Sequence, residues 1–327
     1  MITTSSLLSP VDHDLHILTE NLKQLVGARH PILRAAAEHL FDAGGKRIRP
    51  AIVLLVARAT ISQQNQAKDI SPRHRRLAEI TEMIHTASLV HDDVVDEANL
   101  RRNVPTVNSL FDNRIAVLAG DFLFAQSSWY LANLDNLEVV KLLSEVIRDF
   151  AEGEILQSLS SFDTNISLET YLDKSYYKTA SLIANSAKAS CILSDVSTDI
   201  ADSMYQYGRH LGLAFQIVDD VLDFTGSTEV LGKPAGSDLA SGNLTIPVLY
   251  AFEENPYLKK LIQREFSESG DLEEAIAIVK EGSGIKKAKE LAKTHTEQAK
   301  AQLSCLDACE SSKALYELTD YNLSRLY

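Results

Sequence analysis

The chain has 327 residues, 45% of them hydrophobic, and it carries a formal net charge of -13 at pH 7. This acidic balance argues against nucleic-acid binding, which needs a basic face. The N-terminal residues lack the basic start and the apolar core of a secretory signal, and no apolar run approaches the ~18 residues of a membrane span. We therefore expect a soluble intracellular protein with no transmembrane segment, located in the cytoplasm or, if the gene is organelle-encoded, in the plastid stroma.

Helical periodicity recurs along the chain, whereas strand-like alternation is nearly absent. In chain order the predicted helices are Asp12–Val26, His30–Ala43, Pro50–Thr60, Arg76–Ala98, Thr106–Asn113, Val117–Leu131, Leu137–Ser160, Ser167–Cys191 and Thr198–Phe224, followed by mostly helical residues 248–327. The polar residues 61–76 and the glycine-rich residues 225–247 are predicted to be loops. Because no linker divides the chain, the pattern predicts an all-α fold with a single domain over residues 1–327, a bundle of about ten or more helices around a central cavity.

The string GGKRIRP, residues 44–50, joins the second predicted helix to the third. Its two glycines free the backbone to turn, and Lys46, Arg47 and Arg49 then lie near a helix N-terminus, where anions bind. Arginine grips phosphate through two hydrogen bonds, and lysine neutralises it as a point charge. A solvated patch of cations is the plainer interpretation, but the glycine turn favours phosphate binding.

One acidic string, D-D-x-x-D, occurs twice, each time after a mostly apolar stretch. The copies are Asp92, Asp93 and Asp96, and Asp219, Asp220 and Asp223. On a helix, the first and third carboxylates of a copy lie one turn apart on one face. Two such faces turned toward each other would surround one cavity with carboxylates, which repel each other unless divalent cations lie between them. Oxygen ligands suit Mg²⁺, whose shell is usually completed by substrate phosphates, so the sequence predicts a magnesium–diphosphate site.

Polar side chains flank both copies of the string. They are His85, Arg101 and Arg102 near the first copy, and Lys178, Thr179, Gln216, Lys233 and Asp238 near the second. His85 precedes Asp92 by about two helical turns on the same face, which suits a diphosphate donor. Lys178 interrupts an apolar stretch, so it must reach water, a carboxylate or an anion. The glycine-rich loop that carries Lys233 could fold over a bound substrate as a lid.

Five strings, GGKRIRP, LVHDDVVDEANLRR, GDFLFAQ, YYKTASL and GLAFQIVDDVLDF, follow one another in this order. In this respect the chain resembles the trans-isoprenyl diphosphate synthases, or polyprenyl synthetases, along essentially its whole length. It is most similar to the long-chain solanesyl-type enzymes that supply the plastoquinone side chain. The resemblance implies an all-α bundle, a homodimer, and two or three Mg²⁺ ions in each active site.

The resemblance also implies a role for each site residue. The ligands of Mg²⁺ and of the allylic diphosphate would be Asp92, Asp96, Asp219, Asp220 and Asp223. Isopentenyl diphosphate would be held by Lys46, Arg49, His85 and Arg102. The allylic diphosphate, or the cation formed from it, would be bound by Arg101, Lys178, Thr179, Gln216 and Lys233. The chain departs from its long-chain relatives at Asn243, where they usually carry a lysine in an E-G-K-x-T-L-P string.

The implied reaction is the repeated trans head-to-tail addition of isopentenyl diphosphate to an allylic diphosphate. Small residues below the first aspartate cluster predict a long product. Ser88 lies one turn before Asp92, roughly 6 Å below it, with Ala87 beside it. A Phe or Tyr there would close the apolar tunnel early, so we expect products beyond the C20 class, with C45 solanesyl diphosphate the favoured length. The helix bearing Phe122, Phe124, Trp129 and Tyr130 could form the tunnel floor, and product release could involve peripheral membrane contact.

Three alternatives remain. A terpene cyclase also ionises a diphosphate between acidic helices, but it has no second diphosphate for GGKRIRP to anchor. A non-catalytic partner subunit of a synthase is expected to lose an aspartate cluster, and this chain keeps both. A geranylgeranyl diphosphate synthase is the nearest alternative within the family.

Overall fold

The computed structural model describes residues 4–25, 27–42, 44–63, 69–101, 104–226 and 235–326, and most of them lie in α-helices. In chain order the helices are α1 (Thr4–Leu7), α2 (Asp12–Leu25), α3 (Pro31–Asp42), α4 (Ile48–Gln63), α5 (Pro72–Val95), α6 (Val107–Leu110), α7 (Asn113–Ala132), α8 (Leu137–Leu159), α9 (Leu168–Ser175), α10 (Ser181–Leu193), α11 (Thr198–Thr225), α12 (Ser237–Ala240), α13 (Ile246–Ala251), α14 (Tyr257–Gln263), α15 (Asp271–Glu281), α16 (Gly284–Gln302) and α17 (Glu310–Ser324). Two short strands, β1 (Leu100–Arg101) and β2 (Val104–Pro105), pair antiparallel. The prediction of an all-α fold is confirmed.

Several predicted boundaries differ from the observed ones. The helix predicted over residues 167–191 is interrupted by a π-helical turn, Tyr176–Ala180, between α9 and α10. The helix predicted over residues 106–113 is only α6, because the side chain of Thr106 caps its start and that of Asp112 caps the start of α7. Both predicted loops are partly helical: α4 and α5 extend into residues 61–76, and α12 and α13 begin within residues 225–247.

The backbone contacts divide the chain into two compact units. The first comprises Met1–Arg148, Leu182–Gln206 and Gln302–Leu318, and the second comprises Asp149–Ser181, Tyr207–Ala301 and Thr319–Tyr327. The interpretation of residues 1–327 as one domain stays a prediction.

In the first unit, α5 packs against α4 and α7. Proline starts α5 at its first position, where no backbone N–H is needed, and the extended Ser71 precedes it as the N-cap residue. The part of α4 from Pro50 to Ala57 is buried on every face. A rigid, deeply packed α5 therefore carries the first aspartate cluster at its C-terminal end.

In the second unit, the part of α11 from Tyr207 onward packs into a hydrophobic cluster. Its residues Ile217, Val218 and Val221 are fully buried and pack in one cluster with Tyr171 of α9 and Ile246 of α13. The second aspartate cluster lies on this same stretch of α11, so its carboxylates are held on a helix that packing fixes in place.

One face of α7 exposes large apolar side chains, and the exposed Asp121 lies on the same face. Val117, Leu118 and Trp129 have 39%, 46% and 60% of their surface accessible. Within the part of the chain that the structure describes, α7 is also the helix that by length and composition could cross a membrane. The core helix of a soluble protein passes the same test, so this is a weak signal for a membrane span.

Two histidines of the second unit lie side by side between α11 and α16. The Nδ1 atoms of His210 and His295 are 3.0 Å apart, which suits a hydrogen bond between two neutral rings. Burial, the largest cause, lowers the pKa of each ring from 6.5 to about 4. Both side chains are therefore neutral in the folded protein at neutral pH.

This pair predicts a loss of stability in acid. Between about pH 6.5 and pH 4 the unfolded chain binds protons at these rings and the folded chain does not, so the free energy of unfolding falls as the pH falls. His210→Gln should flatten that dependence by up to about 1.4 kcal/mol per pH unit, the equivalent of one proton. Urea unfolding at a series of pH values measures the slope. The exposed His13→Gln serves as the control, and an equal slope in both variants would contradict the prediction.

Candidate functional site

The cations of the GGKRIRP turn have different surroundings. The turn uses two left-handed residues, Gly44 with φ 69° and Arg47 with φ 50°. Arg47 is largely buried, forms a close ion pair with Glu82 and donates to the Phe41 carbonyl at 3.1 Å. It therefore holds the turn against α5 and does not extend into solvent. The sequence predicts phosphate binding for Arg47 as for Lys46 and Arg49, because it does not reveal the pairing with Glu82.

The other two cations of the turn are more accessible. Lys46 is exposed, and Arg49 is half-buried with its Nη1 atom 3.0 Å from Nε2 of His85. The structure thus brings together two of the residues predicted to hold isopentenyl diphosphate. A third, Arg102, lies outside the described residues.

A cavity of about 50 Å³ lies within the first unit, beside these residues. Its lining includes Arg47, His85, Asp93 and Arg101, which come from the turn, from α5 and from β1. Both arginines are paired with carboxylates that also line the cavity, Arg47 with Glu82 and Arg101 with Asp93.

The first aspartate cluster lies at the C-terminal end of α5. Asp96 is the C-cap residue, and its N–H donates to the carbonyl of Asp92 at 2.8 Å, so the two residues lie one turn apart as predicted. Asp93 is only 3% exposed and accepts hydrogen bonds from Nε and Nη2 of Arg101 at 2.9 and 2.8 Å. The middle carboxylate therefore orients an arginine, which leaves the outer two as the candidate metal ligands.

The π-helical turn presents Lys178 and Thr179. Nζ of Lys178 lies 2.8 Å from a carboxylate oxygen of Glu154 and 3.1 Å from the amide oxygen of Gln157. The sequence predicts that Lys178 reaches water, a carboxylate or an anion, and in the structure it reaches the carboxylate of Glu154. Sequence reasoning missed Glu154 and Gln157, although their spacing on one face of α8 was a usable signal.

A close approach of α11 to the π-helical turn sets the position of Thr179. A Cβ atom at Gly212 would lie 2.5 Å from Cα of Ala180, so only glycine fits between the two backbones. The hydroxyl of Thr179 then donates to Oε1 of Gln216 at 2.8 Å. Single π-helical turns within α-helices often occur at functional sites, and they change the direction in which the following side chains point.

A chain of hydrogen bonds continues from Gln216 to the second aspartate cluster. Nε2 of Gln216 donates to Oδ1 of Asp220 at 2.8 Å, and the hydroxyl of Tyr171 donates to Oδ2 at 2.6 Å. Asp220 is 1% exposed, and burial, followed by the charge of Asp238, raises its pKa from 3.8 to about 7. Tyr171 is a site residue that the sequence did not reveal.

The other two carboxylates of the second cluster have their own contacts. Asp219 pairs with Arg325 of the C-terminal segment at 2.7 Å. Asp223, 2% exposed, accepts from the hydroxyl of Ser237 at 3.0 Å and from the N–H of Asp238 at 3.3 Å. Asp223 therefore holds the chain where α12 begins. Lys233, the predicted lid cation, lies outside the described residues.

The acidic residues fit Mg²⁺ by their chemistry. The described parts of the chain contain no group of three or more His, Cys, Asp or Glu side chains that could hold a metal by themselves. Mg²⁺ is usually bound by one or two carboxylates together with water and substrate phosphates, so a ready-made cage is not required. The buried carboxylate of Asp220 would be stabilised by a divalent cation, since burial disfavours its charge.

Comparison with known proteins agrees with the fold. Residues 30–279 match the family model described as Polyprenyl synthetase, and the chain belongs to this family. The resemblance inferred from the sequence strings is confirmed. The roles of the individual site residues stay predictions.

Relatives match the chain over nearly its whole length. A prenyl transferase of Synechocystis sp. is 70% identical over 327 residues, which are all of both chains. Solanesyl diphosphate synthase 2, chloroplastic, of Arabidopsis thaliana is 55% identical over 99% of this chain and 78% of its own length. A polyprenyl synthase from Caulobacter crescentus CB15, solved in complex with calcium and isoprenyl diphosphate, has a TM-score of 0.90 at 33% identity and covers 99% of this chain and 98% of its own.

Proposed function

We propose that the protein is a prenyltransferase that adds isopentenyl diphosphate repeatedly, in trans head-to-tail fashion, to an allylic diphosphate. The product would be a long-chain all-trans-polyprenyl diphosphate, with C45 solanesyl diphosphate for a quinone side chain as the favoured product. The observation that carries the proposal is the pair of carboxylate-bearing helices, α5 and α11, in a chain that matches a prenyl transferase from end to end.

Magnesium dependence is part of the proposal. Asp92 and Asp96 of α5, with Asp219, Asp220 and Asp223 of α11, would hold two or three Mg²⁺ ions. Bound Mg²⁺ would neutralise the negative charge of the diphosphate group. The Caulobacter crescentus relative was solved with calcium and isoprenyl diphosphate, which supports the same use of a divalent cation here.

The chain's own residues would bind and orient the two substrates. Arg49 and His85, already within 3.0 Å of each other, would hold isopentenyl diphosphate together with Lys46 and Arg102. Arg101 and Lys178 would bind the allylic diphosphate, with Thr179, Gln216 and Lys233. Positive groups fixed in these positions stabilise the charge that develops on the departing diphosphate.

The chemistry needs no nucleophilic side chain. The bond between the allylic carbon and the diphosphate oxygen breaks and leaves an allylic cation. The double bond of isopentenyl diphosphate attacks that cation to form the new carbon–carbon bond. A proton then leaves the adjacent carbon, the departed diphosphate accepts it, and the product is five carbons longer.

A direct assay tests this function. Purified protein would be incubated with Mg²⁺, labelled isopentenyl diphosphate and a panel of allylic primers, and the products would be sized by chromatography. We expect labelled products longer than C20, and no product in a chelator. Products limited to C20 would support a geranylgeranyl diphosphate synthase, whereas absence of product with every primer would support a non-catalytic partner subunit.

We further propose that the chain forms a homodimer through the face of α7 that exposes large apolar side chains. This face carries Leu118 and Trp129, and a second copy of the chain could bury these side chains by packing the same face against them. Leu118→Glu with Trp129→Glu should shift a species of twice the chain's mass to a single chain in sedimentation velocity. Tyr316→Glu, at an exposed position on α17, is the matched control. A wild-type chain that sediments as a monomer would refute the proposal.

The cellular location that we propose for the protein is based on that of its relatives. Proteins named as prenyl transferase or solanesyl diphosphate synthase come from a cyanobacterium and from a chloroplast. We propose that the protein makes the side chain of plastoquinone, in the cytoplasm or in the plastid stroma. Peripheral membrane contact for product release stays a prediction.

A further inference from the structure

Lys174 is a buried cation whose hydrogen-bond partner is neutral. It lies on α9, one turn after Tyr171, and is 5% exposed. Its Nζ atom donates to Oδ1 of Asn243 at 2.6 Å. Removing an ammonium group from water is costly unless nearby negative charge compensates it. The amide oxygen of Asn243 orients the ammonium group but does not neutralise its positive charge.

The compensating negative charge comes from the second aspartate cluster and its neighbour. Burial lowers the pKa of Lys174, and the carboxylates of Asp220 and Asp238 act against that effect, with Glu154 adding a smaller contribution. Burial raises the pKa of Asp220, and the charge of Lys174 opposes a part of that rise. Lys174 lies one turn after Tyr171 on α9, and the hydroxyl of Tyr171 donates to Asp220 at 2.6 Å, so the helix that carries the ammonium is in direct contact with the cluster within the second unit.

We propose that Lys174 is a positioning residue for the second aspartate cluster, aimed by Asn243 and acting as a fixed positive charge behind Asp220. This inference rests on the proposed prenyl transfer. The fixed charge weakens the hold of the carboxylates on a divalent cation, and it helps to stabilise the diphosphate as it leaves. Asn243 suits this role because its amide carbonyl orients the ammonium and leaves its full charge in place.

Two variants separate the effect of the charge of Lys174 from the effect of its hydrogen bond to Asn243. Lys174→Met removes both the charge and the hydrogen bond, and its volume is similar. Asn243→Asp keeps the hydrogen bond but places a carboxylate directly on the ammonium, which cancels the charge. If the charge matters, the two variants change the site in the same direction. If only the hydrogen bond between residues 174 and 243 matters, Asn243→Asp has the same metal affinity and turnover as the wild type.

The first measurement is the affinity of the substrate-free protein for Mn²⁺, by electron paramagnetic resonance at pH 8. Removing one positive charge near the carboxylates should tighten Mn²⁺ binding by about three- to tenfold in both variants, since Coulomb attraction to the cation is no longer opposed. Loss of the positive charge strengthens the attraction of the carboxylates for a divalent cation about twice as much as their attraction for a proton. Competition from protons therefore does not turn the expected increase in Mn²⁺ affinity into a decrease. Asp220→Asn, which removes a ligand, should weaken binding.

The second measurement is steady-state kinetics. Both variants should lower kcat for prenyl transfer by about tenfold, because the leaving diphosphate loses a stabilising charge. The KM for isopentenyl diphosphate should stay within about twofold, since Lys174 and Asn243 are not among the proposed ligands of that substrate. A change confined to that KM would contradict the inference.

The outcomes discriminate clearly. If Lys174→Met loses thermal stability while Asn243→Asp keeps wild-type Mn²⁺ affinity and kcat, Lys174 acts only through its hydrogen bond to Asn243 and the inference fails. Should Lys174→Met not fold, Asn243→Asp alone decides the question. If the wild type makes no polyprenyl product with any primer, the proposed function fails, and the Mn²⁺ titrations still report whether the charge of Lys174 acts on the cluster.

Discussion

Asp220→Asn is expected to lower kcat for prenyl transfer by about three orders of magnitude or more. The substitution preserves the shape of the side chain but removes the charge from the proposed metal ligand that is buried most deeply. Loss of a single group that stabilises the departing charge commonly costs 10²- to 10³-fold, and loss of a metal ligand adds to that. Incorporation of labelled isopentenyl diphosphate, with Mg²⁺ titrated to saturation, measures the effect.

The same substitution should leave the metal-free protein at least as stable as the wild type. Burial disfavours the charge of Asp220, and the neutral amide is not subject to that cost. The hydroxyl of Tyr171 can rotate to accept from the new amide group, so the fold does not lose this contact. Thermal unfolding in a chelator tests this part. Asp173→Asn, at an exposed position on α9, is the matched control and should keep wild-type turnover, while an active Asp220→Asn would remove α11 from the proposed site.

Ser88→Phe is expected to change the product from a long chain to one of C20 or shorter. Ser88 lies one turn before Asp92 on α5 and is half-buried, with its hydroxyl donating to the carbonyl of His85 at 2.9 Å. Ala87 beside it has no exposed surface, so Ser88 is the one of the two that meets open space. A phenyl ring there would occupy the path proposed for the growing chain.

Chromatographic sizing of the products from a single primer measures the change. Ser88→Ala is the control and should retain the wild-type length, because it adds no volume. The rate of the first addition should fall by less than about fivefold in Ser88→Phe, since the ring lies below the cluster and not at the reacting carbon. Products of unchanged length would show that the path does not pass Ser88.

Local spacing explains which parts of the site were predictable from the sequence. Asp92 and Asp96 lie on one helix, where a separation of four residues fixes their geometry whatever the rest of the chain does. The long helices α5, α7 and α11 were predictable for the same reason, since their apolar periodicity extends over many turns.

Contacts between distant segments explain what was not predictable. Tyr171 and Asp220 are 49 positions apart, and no local pattern indicates that they share a hydrogen bond. The π-helical turn shifts the helix register within a few residues, which periodicity over a longer window does not detect. The turn GGKRIRP is an example. Its three cations are alike in sequence, yet Arg47 is paired with Glu82 and largely buried, whereas Lys46 is exposed.

The contact between Asp93 and Arg101 has a further consequence. An arginine side chain free in solution has about 2 kcal/mol of rotamer entropy to lose when it settles on a ligand. Here the carboxylate holds the Nε and Nη2 edge of the guanidinium, so most of that ordering is complete when the chain folds. In the proposed site the arginine would meet an incoming diphosphate as a preorganised donor, and more of the attraction between them would remain as net affinity.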